Sequence, residues 1–148
     1  MEPNFYDSQY LIIDEISYRF SDPERGDVIV VKSPQSSSEF FIKRVIGLPN
    51  ETVEIKGGQV SVYNVDYPEG FVLEESYLKE DIYTQGNKKV ELNDNEYYIL
   101  GDNRNVSLDS RSFGPLTEDR IIGRAWIRVW PFSEFNHFDT PEYQLTIN

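Results

Sequence analysis

The sequence contains no cysteine and one histidine, His137, among its 148 residues. These absences exclude structural disulfides and the clustered cysteine or histidine ligands of a zinc site. No aspartate-rich loop has calcium-binding spacing either, so we expect neither a metal nor another cofactor. Long apolar runs are also missing, since none approaches the roughly 20 residues that a membrane-spanning helix requires.

Basic residues are scarce as well. The chain has 14 lysines and arginines against 26 aspartates and glutamates, which gives a formal net charge of −12. Such a chain repels phosphate backbones, so we expect no nucleic-acid partner. Apolar residues nevertheless make up 39% of the chain and aromatic residues 14%, which is enough for one compact domain with a packed core.

Short apolar or alternating segments separated by turn residues predict an all-β fold with antiparallel sheets. Segment 27–32 (DVIVVK) is almost continuous in β-branched residues, which is typical of a strand buried on both faces. An alternating run over 52–62 is divided by Gly57-Gly58, which predicts a hairpin whose two central residues have positive φ angles. Further strands are predicted at 10–13, 40–46, 97–100 and 124–129.

The segment between the alternating hairpin and residue 97 has a weaker pattern. We expect a short helical turn near 74–79, and a second turn or short helix over 117–122 capped by Thr117. We interpret the chain as a core formed by 1–56 and 97–136, a small inserted β-rich lobe at 57–96, and a C-terminal tail at 137–148.

Two segments are unusually dense in polar, turn-forming and basic residues. Segment 97–115 reads YYILGDNRNVSLDSRSFGP, and segment 40–49 reads FFIKRVIGLP. They resemble the signature boxes of bacterial type I signal peptidases, which are membrane-anchored Ser/Lys endopeptidases that remove leader peptides from exported proteins. Every fixed position of the family's first box is filled, by Gly101, Asp102, Asn103, Arg104, Ser107, Asp109, Ser110, Arg111 and Gly114.

The rest of the chain extends this resemblance. Residues 43–49 fill the second box, and Asn50-Glu51 stands where the family usually has Gly-Asp. Met1-Glu2-Pro3 resembles the Met-x-Pro that directly follows the nucleophilic serine. The resemblance therefore implies that this sequence begins one residue after the nucleophile, lacks the N-terminal membrane anchor, and is inactive as written.

The resemblance assigns Lys43 the role of general base. On a strand Phe41, Lys43 and Val45 share one face, so the amine has apolar neighbours. Burial disfavours the ammonium and lowers its pKa from about 10.4, which allows the neutral amine to accept a proton from a serine hydroxyl. A lysine on an edge strand is more often exposed to solvent, but the matching boxes favour the catalytic interpretation.

Other box residues are expected to support Lys43. The resemblance gives Ser107 the task of holding the lysine amine, whereas an isolated loop serine most often makes a local turn bond. Asp109 and Arg111 would share a face if extended, and we predict an ion pair between them beside the site. Arg44 and Asp102 are predicted to form a second pair that joins the two boxes.

The resemblance also predicts the partners. In the family the leader peptide binds as an extended strand, with backbone pairing for affinity and shallow pockets for specificity. Met1, Phe5, Phe41 and Ile42 occupy the pocket-lining positions, and ordinary core packing is the alternative for each. The protein is expected at the cell membrane with its catalytic domain on the extracytoplasmic side. An aromatic-rich end is predicted to dock at the bilayer surface, although core packing explains Trp126 equally well. The end is formed by Trp126, Trp130, Phe132, Phe135 and Phe138.

Two alternatives belong to other classes of protein. A non-catalytic peptide-binding relative would have lost the serine but kept the groove, and the complete boxes around Lys43 argue against it. A self-cleaving repressor has a related Ser/Lys dyad on a similar β-fold and cuts its own chain at an Ala-Gly or Cys-Gly bond. Here the single alanine, Ala125, precedes Trp126, and there is no cysteine.

Overall fold

The computed structural model describes residues 1, 4, 10–36, 38–79, 81–130, 136–137 and 145–146, with the backbone alone described at 10–11, 19 and beyond 125. Its strands are β1 (Tyr10–Asp14), β2 (Val28–Lys32), β3 (Phe40–Gly47), β4 (Thr52–Lys56), β5 (Gln59–Tyr63), β6 (Phe71–Leu73), β7 (Lys88–Glu91), β8 (Glu96–Leu100), β9 (Leu116–Thr117), β10 (Ile121–Trp130), β11 (Asn136–His137) and β12 (Leu145–Thr146). Helical structure in these ranges is limited to α1 (Ser110–Phe113) and 3₁₀ turns at Ser17–Arg19 and Glu118–Arg120. The predicted all-β fold is confirmed.

The first sheet has the order β1-β10-β2-β3-β8-β9, with β11 beside β10, and its neighbouring strands are antiparallel. Strand β2 lies inside it, and its first four residues are buried, as the continuous β-branched run predicted. Apolar side chains from four of these strands form its core: Ile29, Val31, Val45, Tyr97, Ile99 and Leu116.

The second sheet has the order β12-β6-β5-β4-β7. The β4–β5 hairpin turns at Gly57 and Gly58, whose φ angles are 60° and 86°, so the predicted two-glycine turn is confirmed. The alternating residues all face one buried cluster, whose members include Val53, Ile55, Val60, Val62, Phe71 and Leu73.

The two sheets meet where β3 passes into β4. Ile46, Tyr98 and Leu100 of the first sheet join the apolar cluster of the second. At Gly47 a Cβ atom would lie 2.4 Å from Val53 Cγ2, so only glycine allows this close approach. The two halves of the fold are therefore packed against each other through β3 and β8.

Some local expectations were wrong in detail. Segment 74–79 contains no helix, only a turn closed by Leu78 N–H donating to Glu75 O over 2.9 Å. Thr117 does precede a 3₁₀ turn, but its hydroxyl donates to the Asp119 carboxylate and caps no backbone group. Short strands β6, β7, β11 and β12 were not predicted, because each has too few residues for a periodic pattern.

The division into core, inserted lobe and tail stays a prediction. Strand β4, assigned to the core, pairs with β5 and β7 of the second sheet, and β12 from the tail pairs with β6. Among the described residues, no helix is long and apolar enough to cross a membrane.

Candidate active site

Lys43 lies on β3, half-buried, with its Cα opposite Ile29 of the buried strand β2. Its Nζ donates to the backbone oxygen of Ile42 over 3.1 Å and lies 5.2 Å from the centre of the Phe41 ring. Burial lowers the pKa of this amine below its ordinary value, while the negative charges of Asp109 and Asp102 oppose the shift. The environment therefore favours the neutral amine that a general base requires.

Ser107 and Lys43 both pack close to Gly101. A Cβ atom built on Gly101 would be 2.0 Å from Ser107 Oγ and 3.8 Å from Lys43 Cδ. The loop after β8 thus brings the serine of one box near the lysine of the other, and glycine is required there because a Cβ atom would collide with the Ser107 side chain.

The hydroxyl of Ser107 is buried and has no hydrogen-bond partner within the described part of the chain. It lies close enough to Asp109 to help lower the pKa of that carboxyl, but without hydrogen-bonding geometry. No bond joins it to the amine of Lys43, which donates to Ile42 O instead.

Arg44 and Asp102 form the predicted pair between the two boxes. Arg44 Nε donates to Asp102 Oδ1 over 2.9 Å and Nη2 donates to Oδ2 over 2.8 Å, with side-chain exposures of 7% and 0%. The remaining Nη1 donates to Gly26 O over 2.8 Å, just before β2. A bidentate, buried pair of this kind fixes the orientation of both side chains, so the box loop is held against β3.

Asp109 and Arg111 also pair, but not on an extended strand as predicted. Asp109 is the N-cap residue of α1 and accepts from the backbone N–H of Arg111 as well as from its guanidinium, at 3.2, 2.9 and 2.8 Å. Burial opposes ionisation of Asp109, yet hydrogen bonds from Arg111 and from Gly101 N–H hold its pKa below the usual value. The carboxylate therefore stays charged near Lys43.

Two box side chains also take the place of a strand beside β8. Ser110 Oγ accepts from Ile99 N–H over 3.0 Å, and Asp109 Oδ2 accepts from Gly101 N–H over 3.1 Å. These donors are two residues apart and point to the same edge as Tyr97, which pairs with β9. The box thus satisfies the backbone of the strand that precedes it.

Arg104 is buried and forms an ion pair whose second member was not predicted from the sequence. Its side chain is 0% exposed and pairs with Glu75, which lies in the segment between the two boxes. The distances are 2.5 Å from Nη2 to Oε1 and 2.9 Å from Nη1 to Oε2. It also donates to Thr84 Oγ1, and its Nε donates to Gly101 O over 3.1 Å. The match to the family's first box had singled out Arg104, but no local sequence pattern predicts a partner 29 residues away.

The proposed pocket residues lie near this site to different degrees. Met1 and Ile42 are partly buried against Val28 and Ala125, and Met1 Sδ accepts from Asp102 N–H over 3.4 Å. Phe41 is partly buried against the core of the first sheet. Phe5 lies outside the described residues, as do the side chains of the predicted aromatic docking end.

The described residues contain no group of three or more histidine, aspartate or glutamate side chains that could hold a metal ion. What they do contain is a lysine amine whose pKa is lowered by burial, the Ser107 hydroxyl in the neighbouring loop, and two carboxylates paired with arginines. This arrangement suits proton transfer by an amine, and it contains no second base such as histidine among the described side chains.

Known proteins are similar to this chain in sequence and in fold. Residues 1–130 match the family described as Signal peptidase, peptidase S26. A signal peptidase I from Leptolyngbya laminosa is 40% identical over 95% of this chain and 70% of its own, and signal peptidase IB from Staphylococcus aureus is 33% identical over 96% and 79%. The crystal structure of a signal peptidase I from Enterococcus faecalis V583 has a TM-score of 0.58 and 28% identity, covering 70% of this chain and 97% of that one.

These matches first define the class, which is that of the serine peptidases acting on exported proteins. Within it, the chain belongs to the signal peptidase family, peptidase S26. The relatives support signal peptidase function, and members of this family act on signal-peptide-bearing substrates in association with the membrane.

Proposed function

We propose that this chain carries the Lys43 general base of a Ser/Lys signal peptidase I, oriented by Ser107. The observation that carries the proposal is that Lys43 and Ser107 both pack close to Gly101, where a Cβ atom would contact the side chains of both. Because burial lowers the pKa of the amine, a larger fraction of it is unprotonated at neutral pH than in an exposed lysine, and this fraction can accept a proton. In the attack step the neutral amine takes the proton of a serine hydroxyl while the oxygen bonds to the scissile carbonyl carbon.

The nucleophile in this proposal is a serine joined directly to the amino group of Met1. Met1 is tied to the site because its sulfur accepts from Asp102 N–H, one residue from Gly101. A residue attached to Met1 would therefore be brought to the neighbourhood of Lys43. That serine supplies the attacking hydroxyl and, through its backbone N–H, a donor for the developing oxyanion.

The proposed substrate is the leader peptide of an exported protein, bound as an extended strand. Met1, Ile42 and Phe41 line its pockets in this proposal, together with Phe5. The domain acts on the extracytoplasmic side of the membrane, where exported proteins emerge. Docking of the aromatic end at the bilayer surface, and the absence of a nucleic-acid partner from so acidic a chain, complete the proposal.

Cleavage of a fluorogenic leader peptide with an Ala-x-Ala site, in detergent, tests this function. Three proteins are compared: the chain as given, the chain extended upstream by Gly-x-Ser with a leading segment, and the extended chain carrying Lys43→Met. We expect activity only in the second. Lys32→Met in the extended chain is the matched control, since Lys32 is an exposed lysine on the neighbouring strand β2.

Two results would contradict the proposal. Activity that survives Lys43→Met would remove the lysine from the reaction. Peptide binding without cleavage by the extended chain would instead indicate the non-catalytic peptide-binding relative.

A further inference from the structure

Tyr77 lies in the segment between the two boxes and contacts an arginine of each. Its ring lies 3.9 Å from Arg44 Cζ, and its hydroxyl is 3.4 Å from Arg104 Nη2. The same hydroxyl donates to Glu75 Oε1 over 2.7 Å, the oxygen that pairs with Arg104. One side chain therefore touches both buried ion pairs that hold the box loop.

The backbone of Tyr77 is hydrogen-bonded to a residue that also contacts the Arg44–Asp102 pair. Asn4 Nδ2 donates to Tyr77 O over 3.2 Å and to Asp102 Oδ2 over 2.7 Å. Asp102 is the partner of Arg44. The ring of Tyr77 therefore contacts one member of this ion pair, and its backbone is joined to the other through Asn4. A cation over an aromatic face is stabilised further when both are withdrawn from water.

We propose that Tyr77 is a positioning residue whose ring holds Arg44 in place and thereby fixes the charges around Lys43. This inference rests on the proposed function, because it concerns the base of that reaction. Tyr77 belongs to neither box, and its part in the site follows from its contacts with Arg44, Arg104 and Glu75.

Tyr77 is linked to Lys43 through the charge on a carboxylate that Arg44 neutralises. In the described part of the chain, the charged groups acting on Lys43 are Asp109, neutralised by Arg111, and Asp102, neutralised by Arg44. If Arg44 loses the ring beneath it, its guanidinium is less constrained and neutralises Asp102 less completely. A less neutralised carboxylate favours the ammonium, so the pKa of Lys43 rises and less of the neutral base is present at pH 7.

Tyr63 offers a closely matched control in the second sheet. It is half-buried like Tyr77, Lys89 Nζ lies 4.1 Å from its ring centre, and its hydroxyl donates to Glu54. Removing its ring abolishes the same kinds of contact, but none with a box residue. An effect specific to Tyr77 is therefore separable from a general loss of aromatic packing.

The first measurement needs no nucleophile and uses the chain as given. Lys43 reactivity toward limiting acetic anhydride is followed against pH by mass spectrometry, with exposed Lys32 as the internal reference. Tyr77→Met and Tyr77→Leu should each move the Lys43 profile to higher pH, while Tyr77→Phe, which keeps the ring on Arg44, and Tyr63→Met should leave it in place. Two replacements without an aromatic ring are made so that the test can be read even if only one of them folds. Thermal unfolding shows which variants are folded.

The second measurement uses the extended chain and leader-peptide cleavage. Tyr77→Met should lower kcat/KM at pH 7 by about threefold or more, and the loss should shrink as pH rises and deprotonates the base. Tyr63→Met should lower it less than twofold at any pH. A merely structural role would reduce the active fraction equally at all pH values.

The two measurements separate the inference from the function on which it rests. If the extended chain is inactive but the Lys43 profile still moves only in the ringless Tyr77 variants, the proposed function fails and the positioning role of Tyr77 stands. If cleavage proceeds and the Lys43 profile is the same in all folded variants, Tyr77 has no positioning role. A profile that moves equally with Tyr63→Met would also overturn the inference.

Discussion

The loop between β8 and β9 and the β4–β5 hairpin are held together in different ways. The loop contains little regular structure. The bidentate ion pairs Arg44–Asp102 and Arg104–Glu75 fasten it to its surroundings, and Arg111–Asp109 lies within it. The hairpin is held by backbone pairing and by alternating apolar side chains on one buried face. The difference shows that a hairpin inside a sheet can be held by backbone pairing and buried apolar area, while a loop with little regular structure depends on particular charges.

The largest expected effect is the loss of one charge from the loop. Asp102→Ala leaves the buried guanidinium of Arg44 without its carboxylate, and we expect the free energy of unfolding to fall by about 3–5 kcal/mol. In the hairpin, Ile55→Val should cost about 1 kcal/mol. Urea denaturation of both variants measures the contrast.

A double variant separates the unpaired charge from the lost contacts. Arg44→Met with Asp102→Leu replaces both members by apolar groups of similar volume and should recover most of the stability. If Asp102→Ala alone costs no more than Ile55→Val, the ion pair does not hold the loop and the comparison fails.

A methyl group at Gly101 should have the next largest effect. Gly101→Ala forces a Cβ atom into Ser107, 2.0 Å from its Oγ, and we expect a loss of about 2 kcal/mol together with displacement of the site. Adding Ser107→Gly removes the clash and should restore stability but not cleavage by the extended chain. A Gly101→Ala variant as stable as the parent would show that the loop moves to accommodate the added methyl group at little cost.

Lys43 should weaken the folded state at neutral pH, in contrast to the paired charges. Because burial lowers its pKa in the folded protein, the unfolded chain binds the proton more tightly, and stability rises with pH between the folded and unfolded pKa values. Lys43→Met should therefore raise the melting temperature by a few degrees at pH 7, and the gain should vanish near pH 10–11, about the pKa of an unfolded lysine.

Exposed Lys32 is again the control, since Lys32→Met should show no such pH-dependent gain. A Lys43→Met variant that is less stable than the parent at pH 7 would mean that the amine contributes favourable contacts that outweigh its desolvation.

The smallest expected effect concerns Asn50, where the family usually has glycine. Asn50 has φ = 63°, a conformation that asparagine tolerates better than residues with other side chains. We expect Asn50→Ala to cost about 1 kcal/mol and Asn50→Gly to stay within about 0.5 kcal/mol of the parent. Thermal unfolding of the three proteins decides whether this turn contributes to holding β3 and β4.

The sequence predicted the regular part of the fold from local pattern alone. Strand β2 and the hairpin at Gly57-Gly58 were recognisable because burial on both faces and alternation leave different patterns within a few residues. Short strands such as β6 were missed because three residues carry no period. Thr117 was assigned a capping bond that its hydroxyl makes with Asp119 instead.

The candidate site was only partly predictable. Matching to the family boxes predicted the Arg44–Asp102 pair, and the Asp109–Arg111 pair was expected with the wrong backbone conformation. Glu75 and Tyr77 could not be found in this way, since they lie outside the boxes and their contacts depend on how the intervening segment folds back. Pairing over such separations is set by tertiary packing, which no local pattern records.

One consequence of the β8 edge concerns solubility. An edge strand with unpaired backbone donors is a template on which a second chain can add a strand, and proteins avoid this by covering or blocking such edges. Here the side chains of Ser110 and Asp109 accept from Ile99 and Gly101, so that stretch offers no donors to another molecule. The loop that carries the box thus also guards β8 against edge-to-edge aggregation.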